Sequence, residues 1–240
     1  MLHWIYPHLC ELCHRPCEQE LCAECAGRLP RVPLPICLYC GASVAGNQHD
    51  PYRCPSCDGR PRSFDFARSA LATGEESLRL IYGLKYHRAN YLSGALADIM
   101  NALWEETPLL REHADWVLVP VPIGRAHLFR RGYNQAEELA RALAGVRGLK
   151  VRCALVRRPT HVDSQTRLSA AERWRNALAS YALRREYAAG KKSLGQHVVL
   201  VDDVYTTGST VRACAGALRK VPGVRSVGVI TLARAVRRSI

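Results

Sequence analysis

No part of this 240-residue chain comes near the roughly 20 consecutive apolar residues of a membrane-spanning helix, which excludes helical membrane insertion. The opening segment, MLHWIYPHLC, lacks both a basic leading region and a long apolar stretch, so a secretory signal is not expected. Together these absences predict a soluble, cytoplasmic protein. Aromatic residues are scarce at 7%, with only three Phe, which argues against a base-stacking platform for nucleic acid. Acidic residues are in deficit too: 21 Asp and Glu face 34 Lys and Arg, for a net charge of +13. That balance favours anionic partners, and a small polyanion or a nucleic acid would serve equally well. There is no long low-complexity tract, and no repeat beyond pairs of cysteines. Nothing in the sequence marks an oligomeric state.

What is present is unevenly distributed. Residues 1–60 hold five basic and six acidic side chains, whereas residues 61–240 hold 29 and 15, so the whole basic excess lies in the second part. Nine of the eleven cysteines precede residue 58, and the Gly59–Arg62 stretch reads as a linker. This divides the chain into a module over 1–60 and a larger domain over 61–240, a length that allows an ample core. Four CxxC pairs fill the module: Cys10 with Cys13, Cys22 with Cys25, Cys37 with Cys40, and Cys54 with Cys57. Each places two thiolates on one side of a tight turn, and two such turns make a four-cysteine zinc site. Pairing them in sequence order gives two structural zinc ribbons, with crossed pairing as the alternative. Disulfides suit a chain without a secretory signal poorly, and redox chemistry would need only one pair. Cys17, Cys153 and Cys214 fall outside the pattern and read as ordinary small residues. His3, His8 and His14 lie near enough to act as substitute ligands, a lesser alternative.

Beyond the linker, strand-like and helix-like patterns alternate. Strands are expected at Phe64–Ala72 (on an edge), Trp116–Val121, Val151–Val156, Tyr181–Leu183, Val198–Val201 and Ser226–Leu232. Helices are expected at Glu75–Tyr86, Tyr91–Trp104, Asn134–Val146, Ala170–Leu178 and from the Ser209 region towards Lys220. Alternation of this kind implies an α/β fold, a mainly parallel sheet with helices on both faces.

The most informative segment is HVVLVDDVYTTGST, His197 to Thr210. An apolar strand ends in Asp202 and Asp203, at the end of the sheet where open α/β folds bind ligands. Thr206, Thr207, Gly208, Ser209 and Thr210 then supply hydroxyls and backbone N–H groups at a helix start, which is suited to an anion. Carboxylates would repel a bare phosphate, so the pairing fits a ligand with both a phosphate and a diol. The plain alternative is a strand–turn–helix corner with capping side chains.

Two further segments are basic. In VPVPIGRAHLFRRGYNQAEELA, Arg125, Arg130 and Arg131 follow a strand, and Asn134 and Gln135 open a helix; arginine forks suit phosphate oxygens. The alternative there is a basic surface loop with Asn134 as a helix cap. Residues 157–176 are polar and carry Arg157, Arg158, Arg167, Arg173 and Arg175, the make-up of a lid over a polyanion or of a plain surface loop.

The His197–Thr210 segment resembles the phosphoribosyl pyrophosphate (PRPP) signature of type I phosphoribosyltransferases. Taken with the CxxC module, the Asp115 to Pro122 segment (D-x-x-x-VPxP) and the RGxNQ motif at Arg131 to Gln135, nearly the whole chain resembles the ComF family, the competence-protein and GntX-like phosphoribosyltransferases. An RxTxxQxxLxxxxRxxN region fits Arg158, Thr160, Gln165, Leu168, Arg173 and Asn176, with His161–Ser164 lengthening one step. The resemblance implies a type I phosphoribosyltransferase fold. It further implies that Asp202 and Asp203 hold the ribose hydroxyls and that the Thr206–Thr210 turn holds the 5-phosphate. Arg131 with the lid arginines Arg158 and Arg173 would stabilise the departing pyrophosphate, beside Asn134 and Gln135, and magnesium would arrive with PRPP.

Two functions follow. The preferred one is an enzyme that displaces pyrophosphate from Mg–PRPP with an unknown acceptor; no residue stands out as a general base. The alternative is a non-catalytic module that senses PRPP or grips single-stranded DNA, its zinc ribbons docking a helicase-like competence partner.

Overall fold

The computed structural model describes residues 9–44, 53–59, 62–86, 89–158 and 180–235. In chain order the elements are α1 (Ala23–Arg28), β1 (Phe66–Ala72), α2 (Glu75–Tyr86), a 3-10 turn (Asn90–Leu92), α3 (Ser93–Glu106), α4 (Pro108–Arg111), β2 (Val117–Pro120), α5 (Arg125–Arg131), α6 (Gln135–Arg147), β3 (Lys150–Val151), β4 (Leu155–Arg157), β5 (Tyr181–Leu183), α7 (Arg185–Ala188), β6 (His197–Tyr205), α8 (Ser209–Leu218) and β7 (Ser226–Arg234). Five strands pair in the order β1-β7-β6-β2-β3, all parallel, with β1 on the edge as its position in sequence suggested.

Side-chain alternation along the strands builds two apolar layers. Val199 and Val201 of β6 pack with Leu139 and Leu143 of α6 and with Leu96 and Met100 of α3. Val198 and Leu200 face the other way, against Val211, Cys214 and Leu218 of α8. Each fully buried aliphatic side chain contributes about 1.5–3 kcal/mol, so these two layers dominate the stability. Both four-cysteine segments join them: Cys10 and Cys25 lie in the α3–α6 layer, and Cys37, Cys40, Cys54 and Cys57 in the α8 layer.

The layers also fix where a ligand fits. After β2 the chain passes to α6 on one face, and after β6 it passes to α8 on the other. Adjacent parallel strands whose connections diverge in this way leave a crevice at their carboxyl ends.

Three expectations need correction. The single strand expected over Val151–Val156 is two pieces. Arg152 still donates to the Leu118 carbonyl at 2.9 Å, but the chain then leaves the sheet, and β4 pairs antiparallel with β5. The reason is that Leu155 is needed in the α8 layer with Tyr187 and Leu194, a position the sheet edge does not reach. Secondly, β6 does not end at Val201; pairing with β7 continues to Tyr205, so Asp202 and Asp203 sit within the strand's last residues. Thirdly, the Arg125–Arg131 stretch is a helix, not a loop, closed by Gly132 in the left-handed region at φ +84°. The helix expected over Ala170–Leu178 lies outside the described residues.

Candidate functional site

A cleft of about 270 Å³ opens at this crevice, between Val121–Ile123 after β2 and Asp202–Thr206 at the end of β6. Asp203 turns towards α2, where its Oδ2 lies 3.0 Å from the Lys85 Nζ, both side chains being largely buried. Asp202 turns inward, and its Oδ1 accepts the Asp203 backbone N–H at 2.9 Å. Burial, followed by the Asp203 charge, pushes the Asp202 carboxyl up to about 8. An ordinary aspartate titrates near 3.9. Between these values the folded chain holds a proton that the unfolded chain has released, so stability falls as pH rises from about 4 to about 8. Asp202→Asn is therefore expected to raise the melting temperature at pH 8 and leave it nearly unchanged at pH 4. Melting curves of the two proteins across that range check this; equal slopes against pH would contradict it.

The turn after β6 is shaped by Gly208, which stands at φ +76°. A Cβ there would meet the Tyr205 hydroxyl at 2.2 Å and its ring carbon at 2.6 Å, well inside contact distance. Left-handed backbone costs other residues about 1–2 kcal/mol, to which this clash adds. Gly208→Val is expected to displace the turn and to lower stability by at least about 1–2 kcal/mol; denaturant unfolding measures it, and an unchanged midpoint would contradict it. Thr206 and Thr210 line the cleft. Thr207 and Ser209 are linked at 3.0 Å between hydroxyls, and α8 begins at Ser209, directing its first N–H groups at the turn.

Across the cleft, Asn134 plays both the capping and the lining part. Its Oδ1 accepts from the Ala136 N–H at 3.2 Å, its Nδ2 donates to the Val121 carbonyl at 3.0 Å, and it faces the cavity. Gln135 and Arg131 face the same space. The Gln135 Nε2 and the Arg131 Nε are buried and have no hydrogen-bond acceptor among the described residues. Buried donors left unpaired cost about 1–3 kcal/mol each, so an acceptor entering the cleft beside them would lower that cost.

Several cleft residues carry no motif. Lys85 and Tyr86 end α2, and the Arg131 guanidinium lies 5.1 Å from the Tyr86 ring centroid. His127 is held below its usual titration range by burial and by Arg131, Arg130 and Arg157, and its Nδ1 lies 3.1 Å from the Arg130 Nη2. Arg157 lies 5.8 Å from the Tyr181 ring, so the β4–β5 hairpin presents both to the cavity. Of the lid arginines, Arg157 lines the cavity; Arg158 is exposed, its backbone N–H held by the Ser180 carbonyl. Thr160, Gln165, Arg167, Leu168, Arg173, Arg175 and Asn176 lie outside the described residues.

The cysteines form two groups in sequence order: Cys10, Cys13, Cys22 and Cys25, then Cys37, Cys40, Cys54 and Cys57. Within each group the Sγ atoms lie within 4.8 Å of one another, and crossed pairing is thereby excluded. Four thiolates at about 2.3 Å from a tetrahedral zinc would stand about 3.8 Å apart. The Cys13–Cys22 and Cys40–Cys54 separations are 3.8 and 3.5 Å. Backbone N–H groups of Cys22 and Cys54 point at the Cys10 and Cys37 sulfurs at 3.4 Å, and every cysteine is a free thiol. Both groups therefore fit zinc. His14 is engaged by Arg79 rather than by the sulfurs, and His3 and His8 lie outside the described residues. No described helix is long and apolar enough to cross a membrane.

Comparison with known proteins agrees with this geometry. Residues 128–239 match the family described as phosphoribosyl transferase domain. The chain is 31% identical to the DNA utilization protein YhgH of Salmonella typhimurium, over 95% of this chain and 97% of the relative. It is 29% identical to Competence protein F of Haemophilus influenzae, over 91% and 92%. To Competence protein ComFC of Bacillus subtilis it is 25% identical, over 90% and 85%.

Proposed function

Since the chain belongs to the ComF family of phosphoribosyltransferase-domain proteins, we propose that its cleft binds PRPP and transfers the phosphoribosyl group to an acceptor. The observation that carries this reading is the division of labour across one cleft. Two acidic side chains, the Asp203 carboxylate and the Asp202 carboxyl that keeps its proton up to about pH 8, stand on one side, and two buried donors without a described partner, Arg131 Nε and Gln135 Nε2, stand on the other. Carboxylates accept from a diol, and orphan donors await phosphate oxygens.

In the proposed reaction Asp202 and Asp203 accept hydrogen bonds from the ribose hydroxyls. The turn from Thr206 to Thr210 holds the 5-phosphate against the start of α8. The bond between the anomeric carbon and the pyrophosphate oxygen breaks, and a bond to the acceptor's nucleophile forms. Pyrophosphate leaves with that electron pair towards Arg131, Gln135 and Arg157. Magnesium bound with the substrate would offset pyrophosphate charge. Both cysteine centres hold zinc and are closed to chemistry, since four protein ligands fill the coordination sphere. A screen for pyrophosphate release from PRPP over nucleobase, amine and nucleic-acid acceptors tests this. One acceptor should give turnover that Asp203→Ala removes; binding of PRPP without release over the whole panel would reduce the protein to a PRPP sensor.

A second reading, single-stranded nucleic acid as partner or acceptor, rests on the rim of the same cleft. Tyr86 lines the cleft, and two further exposed rings stand on α2 and α5. Phe129 is 94% exposed on α5 beside Arg125 and Arg130, and the half-exposed rings of Tyr82 and Tyr86 lie 5.9 Å apart on α2. Exposed rings among arginines stack bases at about 1–3 kcal/mol each. Phe129→Ala is then expected to weaken oligothymidine binding about tenfold at fixed salt while PRPP affinity is kept; fluorescence anisotropy reads the effect, and unchanged affinity would remove this reading. The names of the relatives, DNA utilization protein and competence proteins, accord with it.

A further inference from the structure

Two arginines from the larger part of the chain run into the second cysteine centre. Arg212 of α8 is 2% exposed and Arg234 at the end of β7 is 8% exposed, so both are buried cations. The Arg212 Nη2 lies 3.5 Å from the Cys57 Sγ, and its guanidinium sits 5.3 Å from each of the stacked Tyr39 and Phe64 rings. The Arg234 Nη1 donates to the Cys40 carbonyl at 2.7 Å, and its Nη2 lies 3.5 Å from the Cys40 Sγ. A zinc ion with four thiolates carries a net charge of about −2, which two guanidinium groups neutralise. Buried charge is tolerated only when matched in this way. The first centre differs: its cation is Arg15, 3.4 Å from the Cys13 Sγ, on a side chain that is 60% exposed.

From the same two arginines, two short paths lead to one point in the cleft. Arg234 stacks 4.3 Å from the Tyr205 ring, and that ring fills the space over Gly208 where a Cβ would stand. The Arg212 backbone N–H donates to the Gly208 carbonyl at 3.0 Å, closing the first turn of α8. The second centre also abuts the sheet directly. Gly41, next to Cys40, stands at φ +70°, where a Cβ would lie 2.5 Å from the Ala67 carbonyl oxygen of β1.

We propose that Arg212 and Arg234 are the counter-cations of the second four-cysteine centre and couple its zinc occupancy to the geometry of the Gly208 turn. With the metal in place each guanidinium has an anionic neighbour, the Arg234 guanidinium is held over the Tyr205 ring, and the Arg212 backbone closes the first turn of α8. Without the metal the four sulfurs are no longer held together beside the two guanidinium groups, and Tyr205 loses the support of Arg234. Coupling of this kind is reciprocal: a ligand of the turn must slow zinc loss from the second centre and not from the first.

The test uses the full-length, zinc-loaded protein and reads initial rates just after a strong chelator is added, before metal loss has unfolded the chain. N-ethylmaleimide labelling followed by peptide mass spectrometry reads each cysteine separately. Arg212→Gln and Arg234→Gln remove the charge but keep an amide donor. They are expected to speed labelling of Cys37, Cys40, Cys54 and Cys57 about tenfold and to leave Cys10, Cys13, Cys22 and Cys25 at the wild-type rate. The second arm uses only the wild type and does not depend on the variants folding; it rests on the PRPP reading above. Saturating Mg–PRPP should slow labelling at the second centre alone. Calorimetry on the same sample separates the two failures: no PRPP binding sinks the ligand assignment, whereas PRPP binding without selective protection sinks the coupling. Wild-type labelling rates in both glutamine variants would overturn the counter-cation role itself.

Discussion

Chelation of the metal from both cysteine centres is expected to unfold the entire chain, not its first sixty residues alone. The eight cysteines are not an appendage: they belong to the same two apolar layers as Val199, Val201, Val198 and Leu200 of the central strand. Structural zinc in small peptides contributes about 10–16 kcal/mol of binding energy at neutral pH. A whole domain is stable by only about 5–15 kcal/mol. Loss of even one centre thus rivals the total. The second centre adds an electrostatic cost, because Arg212 and Arg234 stay buried once its thiolates are no longer held together. Circular dichroism during chelation should show helix and strand signal lost together. A chain that kept its sheet signal and a melting transition after complete zinc removal would contradict the integration of these clusters into the core.

Replacing Asp203 by alanine should cost PRPP roughly a hundredfold in affinity, while inorganic pyrophosphate binds as well or better. Two hydrogen bonds from the ribose diol to a carboxylate amount to roughly 3 kcal/mol, or about two decades. The same substitution frees Lys85, now 3.0 Å from Asp203, to meet an anion. A carboxylate that holds the sugar and a cation that holds the phosphate must respond in opposite directions, and a general loss of stability could not produce that split. Equal losses for both ligands would show that Asp203 has no special relation to the ribose.

What was legible in the sequence follows from how local each feature is. The Asp202–Asp203 pair, the Thr206–Thr210 turn and the CxxC spacings are contiguous, and the structure keeps each as a compact unit. The α2 helix was readable because its apolar residues recur at helical spacing onto Leu80, Ile81 and Leu84. By contrast α5 buries no side chain, so RAHLFRR offers no periodic face, and only Gly124 and Gly132 mark its ends. The split of Val151–Val156 was hidden because a run of small and β-branched residues suits either sheet. Lys85 and Arg157 enter the cleft through tertiary packing, without a motif. Arg212 and Arg234 are the sharpest case. Counted in the basic excess they read as solvated surface charge, yet both are buried, a pairing visible only once β7, α8 and the cysteine centre meet.

Calorimetric titration of Mg–PRPP into the full-length, zinc-loaded protein tests the central claim most directly. The account predicts saturable binding of one PRPP per chain, weakened about a hundredfold by Asp203→Ala, with ribose 5-phosphate and pyrophosphate each binding more weakly than PRPP. No saturable heat at millimolar PRPP in a folded wild-type protein, or equal affinity in the variant, would contradict it.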